Sequence, residues 1–198
     1  IDLNNFEIKE QEWYKLTYSK KKQDVSYESA VNQFKLLFDD SVNLRLRSDA
    51  KLGSCLSGGI DSSSIVAAAS SMSDERLTTF TSCFESSEYD EREYSDEVVK
   101  NTNSISHKVF PNLDELLNEK LWEKLIYHQD QPILSFSHFS EFEVFRLVQE
   151  KGIKVVLDGQ GSDEYLAGYT SFLGIPIYKK LVSLRFIQLF RFLAKRAK

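Results

Sequence analysis

The chain has 198 residues, with 25 Lys plus Arg against 30 Asp plus Glu and a formal net charge of −5. A hydrophobic fraction of 41% with 28% charged residues is that of a folded globular chain and excludes a disordered one. The longest uncharged stretch, Tyr165 to Tyr178, contains two glycines and a proline and falls short of the roughly 20 apolar residues of a membrane span.

Residues 1–25 are polar and irregular, include the basic run Lys20-Lys21-Lys22, and read as a linker. Ser26 is a helix N-cap candidate, because Val31, Phe34, Leu37, Phe38, Val42 and Leu46 follow at steps of three and four. The run Leu52 to Leu56, closed by Ser57-Gly58-Gly59, predicts a buried parallel strand. Ser62 to Met72 is rich in Ala, Ile and Val and predicts a packed helix. The alternation then repeats: a strand over Thr78 to Phe84, a helix over Glu93 to Asn101 and a short strand over Ser106 to Phe110. One helix is expected over Leu113 to His128 and another over His138 to Lys151, closed by Gly152. Ile153 to Leu157 is a second buried strand ending in a glycine turn, Asp158-Gly159-Gln160-Gly161. Strands alternating with helices predict an α/β fold, a doubly wound, Rossmann-like parallel sheet with flanking helices. The main domain is expected over 26–175, and 176–198 as the start of a truncated C-terminal helical region.

Charge and cysteine content narrow the function. No Asp or Glu occurs from Tyr165 onward, and the first 164 residues hold 18 basic against 30 acidic groups, a net of −12. That acidic body has no broad positive field for displacing phosphate counterions, so nucleic acid is not an expected partner. Cys55 and Cys83 are too few for a disulfide scaffold or structural zinc and read as small buried hydrophobes. No signal-peptide pattern follows Ile1, which predicts a cytoplasmic chain cut from something longer.

Two segments combine a buried strand, a glycine turn at its carboxyl end and an aspartate in the turn: Ser57 to Ser64 and Asp158 to Glu164. In open α/β sheets, ligands bind beyond the carboxyl ends of strands where strand order reverses. The glycines of the first turn let backbone N–H groups approach an anion, its serines can donate, and the following helix presents its positive end. That is a phosphate cradle. Asp61 and Asp163, from separate turns, can jointly hold Mg²⁺ against the same phosphates. Neither G-x-x-x-x-G-K-[ST] nor G-x-G-x-x-G occurs, so those two nucleotide-binding designs are not in play.

Leu56-Ser57-Gly58-Gly59-Ile60-Asp61-Ser62-Ser63 resembles the pyrophosphate (PP) loop of ATP pyrophosphatases, SGGxDS. Gly152 to Tyr169, which contains Asp158-Gly159-Gln160-Gly161-Ser162-Asp163-Glu164, resembles the second signature of glutamine-dependent asparagine synthetases, and Tyr89-Asp90-Glu91-Arg92-Glu93-Tyr94 matches that family between them. The similarity runs from about Tyr27 to Tyr169. It implies a fold of the adenine nucleotide alpha hydrolase type and an ATP-dependent ligase that adenylates a carboxylate and transfers ammonia to give an amide. By resemblance, N–H groups around Ser57, Gly58, Gly59 and Ser62 hold the β- and γ-phosphates, and Asp61 and Asp163 hold Mg²⁺. Leu56, Ser82, Asp158 and Gly159 line the adenosine pocket, and Gln160, Asp163 and Glu164 are the catalytic candidates.

Three departures shape the expectation. No glutaminase domain with an N-terminal cysteine nucleophile precedes this region, so ammonia must come from an absent glutaminase domain or from solution. Gln160 stands where aspartate-using members commonly carry a carboxylate, and an amide orients a substrate but takes no proton. Ile133 to His138 also lacks the Thr and Arg expected to clamp aspartate. The acceptor is therefore a small-molecule carboxylate, either aspartate or another such as a sugar acid; a catalytically silent ATP-binding module is the further alternative, and a homodimer is left open. The third departure is the tail, Ile177 to Lys198, whose leucines and phenylalanines lie among cations. It reads as a helix that packs on absent chain rather than a membrane-surface anchor.

Overall fold

The computed structural model describes residues 5–15, 25–85, 90–133 and 135–183. It falls into two compact units, 1–38 and 39–198. Helix α1 (Tyr27–Arg45) runs from one into the other. Its apolar stripe is largely open: Val42 is buried, while Val31, Phe34 and Leu37 are exposed. In the first unit, Phe34 stacks on Phe38, and Trp13 tilts against Tyr14 while 91% exposed.

The second unit is built on a four-stranded, wholly parallel sheet: β1 (Leu52–Cys55), β2 (Thr78–Ser82), β3 (Ile105–Val109) and β4 (Val155–Leu157). In space the order is β3-β2-β1-β4. The chain steps outward from β1 through α2 (Ile60–Met72) to β2, and through α3 (Arg92–Thr102) to β3. It then returns through α4 (Glu119–Gln129) and α5 (Phe136–Glu150) to place β4 on the free side of β1. Right-handed crossovers in opposite directions put α2 and α3 on one face and α5 on the other. The doubly wound expectation is met, with the strand-order reversal between β1 and β4.

Burial explains the strand sequences. On one face Phe80 meets Val144 and Val148 of α5 together with Ile153. Thr79 and Thr81 alternate with Phe80 and face the opposite side. Both are buried, and Thr81 Oγ1 donates to the Leu56 carbonyl at 2.7 Å. Ser54, fully buried, donates in the same way to the Leu157 carbonyl at 3.2 Å, stitching β1 to β4. Val66 and Ala69 of α2 are completely buried. A satellite cluster joins α4 to α5 through Leu125 and Phe139, with Trp122 packed against it.

Two expectations need correction. Leu113 to His128 is not one helix: a 3-10 turn, Leu113–Leu117, precedes α4. The cause is two asparagines acting as caps, since Asn112 accepts from Asp114 N–H at 3.0 Å and Asn118 from Lys120 N–H at 3.1 Å. Cys83 lies one residue beyond β2 rather than within it. Trp122 packs against the α4–α5 cluster, whereas Trp13 is the exposed residue described above. Helix α6 (Ser162–Leu166) follows the second glycine turn, and α7 (Gly174–Val182) opens the basic tail; residues 184–198, where most of that tail falls, lie outside the described residues. Among the described residues, no helix is long and apolar enough to cross a membrane.

Candidate functional site

A cavity of about 780 Å³ opens at the carboxyl ends of β1, β2 and β4. Its lining includes Leu56, Ser57, Gly59, Asp61, Ser62, Ser82, Asp158, Gly159, Gln160 and Asp163. Ten residues singled out in the sequence thus share one wall system, and Asp61 and Asp163 face the same space. Gly58 and Glu164 are not part of the lining. Gly58 has φ +94°, and a Cβ there would sit 2.8 Å from Cβ of Tyr94 and 2.9 Å from the Ser95 nitrogen. It is the hinge that turns the loop against α3. Glu164 accepts a hydrogen bond from the Tyr169 hydroxyl at 3.1 Å, which holds the segment after α6.

The turn after β1 is bonded to itself. Ser62 Oγ donates to the Gly59 carbonyl at 3.3 Å, and Ser57 N–H donates to Ser62 Oγ at 3.2 Å. The two hydroxyls lie 3.1 Å apart, and Gly59 N–H donates to Ser57 Oγ at 3.2 Å. The serines and two of the four N–H groups expected to grip phosphate are therefore engaged within the loop. What remains open is the first turn of α2. Its N-cap is Gly59, which has no side chain to satisfy the N–H groups of Ile60, Asp61 and Ser62. Asp61 and Ser62, at the positive end of the helix, line the cavity at this point.

The turn after β4 closes on that helix end from the other side. Gly159 lies so near that a Cβ on it would stand 3.0 Å from the Ser62 nitrogen and 3.3 Å from Cβ of Asp61. A methyl group would cover the donor that the uncapped turn exposes. Asp158 Oδ1 accepts from Gln160 N–H at 3.0 Å, and Ser162 Oγ donates to the Gly159 carbonyl at 2.7 Å, so the turn holds its own shape. The Asp163 carboxylate packs against Gly168.

The cavity's charge decides what it can hold. Among the described lining residues are five carboxylates, Asp61, Glu91, Glu141, Asp158 and Asp163, with one imidazole, His138, and no Lys or Arg. Bare phosphates would be repelled. A divalent cation between Asp61 and Asp163 reverses that, which is the arrangement Mg²⁺ favours with one or two carboxylates plus phosphate oxygens. No cluster of three metal-ligating side chains occurs among the described residues, so the remaining ligands would be phosphate and water.

Several lining residues were not singled out in the sequence: Cys55, Phe80, Phe84, Glu91, Ser137, Ser140, Glu141 and Val144. Glu91 is the N-cap residue of α3 and its side chain makes no cap bond; Asp90 accepts from Arg92 N–H at 3.3 Å, and Glu91 lines the cavity. The Cys55 thiol is pushed up to about 12, by burial first and then by the charge and hydrogen bond of Asp158, so it is no nucleophile. The α5 contribution carries a weak signal, since Ser137, Ser140 and Glu141 are spaced three and four apart on one helix face.

The asparagine synthase family model matches residues 33–193. The chain belongs to that family. It is similar to a Methanocaldococcus jannaschii protein provisionally named asparagine synthetase (glutamine-hydrolysing) 2, at 35% identity over 164 residues, 81% of this chain and 29% of the relative. Asparagine synthetase (glutamine-hydrolysing) 1 of Bacillus subtilis is 34% identical over 148 residues, 74% of this chain and 22% of the relative. The chain thus spans less than a third of the length of these relatives. Among solved structures, an NH3-dependent NAD synthetase from Campylobacter jejuni superposes on 73% of this chain and 61% of its own, with a TM-score of 0.43 and 14% identity. The uncapped helix, the close approach of Gly159, and Asp61 and Asp163 all lie at the cavity of this asparagine synthase domain.

Proposed function

We propose that this asparagine synthase domain binds ATP with Mg²⁺ and uses it to activate a carboxylate for amide formation. The observation that carries the reading is the convergence of the uncapped α2 terminus with Asp61 and Asp163 on one cavity at the strand-order reversal. The Ile60, Asp61 and Ser62 N–H groups hold the β- and γ-phosphates, and Asp61 and Asp163 hold the cation. When bound, Mg²⁺ offsets the charge that builds on the leaving pyrophosphate. Ser82 Oγ is buried without a hydrogen-bond partner and lines the cavity, which suits a site whose remaining partner is the nucleotide.

In the proposed reaction, a carboxylate oxygen of the acceptor attacks the α-phosphorus and pyrophosphate leaves, giving an acyl-adenylate. Ammonia then attacks the acyl carbon, and AMP leaves with the electron pair of the broken C–O bond. In the relatives' names the ammonia source is glutamine; here we infer a glutaminase domain elsewhere in the protein. Aspartate is the first acceptor to test. Gln160, which lines the cavity with an amide in place of a carboxylate, favours a second reading in which the acceptor is a different small acid.

Exchange of labelled pyrophosphate into ATP, measured on the full-length protein across a panel of carboxylates, tests both. Exchange that requires Mg²⁺ and one acid supports the ligase reading and names the acceptor. Tight ATP binding with no exchange on any acid would leave a silent nucleotide-binding module.

A further inference from the structure

Helix α5 brings a polar edge, Ser137, His138, Ser140 and Glu141, to the cavity. Its buried positions are the apolar Phe139, Val144 and Val148, as a helix packed on a sheet requires, together with Glu143, whose carboxylate pairs with Arg146 at 2.9 Å. Unlike Glu143, Glu141 has no cation paired with it among the described residues, and it lines the cavity, half-buried, beside Ser137, His138 and Ser140. It sits close enough to feel its surroundings: burial first, then the Asp158 charge, raise its carboxyl above the usual range, with His138 pulling the other way. Glu141 and Asp158 both act in turn on the Cys55 thiol. The end of β1, the end of β4 and α5 therefore meet at one place in the cavity. The buried, unpartnered Ser82 hydroxyl lines the same cavity.

The free acceptors there are specific. Asp158 already accepts from Gln160 N–H and from the Cys55 thiol. Among the described residues, no hydrogen-bond donor reaches the Glu141 carboxylate. A half-buried carboxylate facing a ligand cavity is stabilised by a donor on the ligand. The phosphates and the acceptor acid are excluded by their charge. Leu56, Phe80 and Phe84 supply apolar lining suited to a purine, and the phosphates are held at the loop. The donor-bearing part of a nucleotide between base and phosphate is the ribose, whose two neighbouring hydroxyls suit carboxylate acceptors.

We propose that Glu141 reads the ribose: its carboxylate accepts a hydrogen bond from a ribose hydroxyl, seating the diol between α5 and the turn after β4. This rests on the ATP-binding reading above and adds a specificity residue to it. Glu141 then selects ribonucleotide over deoxyribonucleotide, a discrimination that no residue of the phosphate loop supplies.

The test is calorimetric titration of the full-length protein with ATP, 2′-deoxyATP and 3′-deoxyATP, each with Mg²⁺, in wild type, Glu141→Ala and Glu141→Gln. Wild type is expected to bind at least one deoxy analogue about 10-fold more weakly than ATP, the size of one lost hydrogen bond to a charged group. Glu141→Ala should bind ATP and that analogue equally. Glu141→Gln, which is isosteric and keeps a neutral acceptor, should reduce the ratio to about 3-fold and carries the test if the alanine variant does not fold. An unchanged ratio in a folded variant, or no discrimination by wild type, overturns the ribose assignment while ATP binding stands. Failure of wild type to bind ATP at all would overturn both this and the reading on which it rests.

Discussion

The turn after β1 spends its side chains on itself, with Ser57 and Ser62 bonded to each other and to the loop's backbone, and leaves backbone N–H groups facing outward. The turn after β4 does the reverse: its backbone groups and one Asp158 oxygen are engaged internally, and Asp158, Gln160 and Asp163 face the cavity. One turn offers donors and the other offers acceptors, at the point where the sheet changes direction. A single charged group would be served by either turn alone. A phosphate chain with its counter-cation needs both, which is the support the two turns give to the proposed metal-bound polyphosphate over a simple anion.

The comparison can be broken most severely at its acidic corner. Replacing Asp61 with alanine should cut ATP–pyrophosphate exchange about 1,000-fold, since a metal's charge stabilisation is worth several kcal/mol. Asp163→Ala should do the same while leaving thermal unfolding nearly unchanged, because Asp163 lies outside the buried core. Next in size is Gly159→Ala, whose methyl group would stand 3.0 Å from the Ser62 nitrogen. It should weaken ATP binding about 10-fold or more by calorimetry, whereas a change to the acceptor alone would leave affinity for ATP intact.

Smaller effects sharpen the view of what supports the two turns. Thr81→Val removes the donor to the Leu56 carbonyl and leaves that buried oxygen unsatisfied, so stability in urea should fall by about 1–3 kcal/mol. The β1 turn begins at the next residue, so a rise in the KM for ATP should accompany that loss. Cys55 gives the smallest effect. With its thiol raised to about 12 in the folded protein, it stays protonated at pH 8, and alkylation by iodoacetamide should be far slower in the native than in the urea-unfolded chain. Equal rates would mean that the strand end is open and the carboxylates beside it are not.

Much of this architecture is readable from residue order. Each strand and each long helix leaves a local trace in periodicity, in glycine turns or in β-branched runs, and both glycine turns stand out because they follow short buried strands. What is not readable is which of several possible partners, near or distant in sequence, a residue takes. Asn118 cuts the stretch after Leu113 into a turn and a helix, although the leucine pattern runs straight through it. Trp13 carries an apolar ring in the first unit but, among the described residues, tilts against Tyr14 with almost all of its surface exposed. Glu141 reads as one more charged residue in an amphipathic helix. Only the packing of α5 on β2 and β3 brings it to the cavity, and nothing within the helix encodes that register. Serine commitment in the first turn is likewise invisible in Ser-Gly-Gly-Ile-Asp-Ser, since the pattern does not say whether a hydroxyl faces ligand or loop.

The division between donors and cation-holding carboxylates is tested most directly by titrating ATP into the full-length protein with and without Mg²⁺, in wild type and in Asp61→Asn and Asp163→Asn variants. The arrangement described here predicts tight binding only when Mg²⁺ is present, and loss of that Mg²⁺ dependence together with affinity in either variant. ATP bound equally well in the absence of Mg²⁺, and by both asparagine variants, would contradict it.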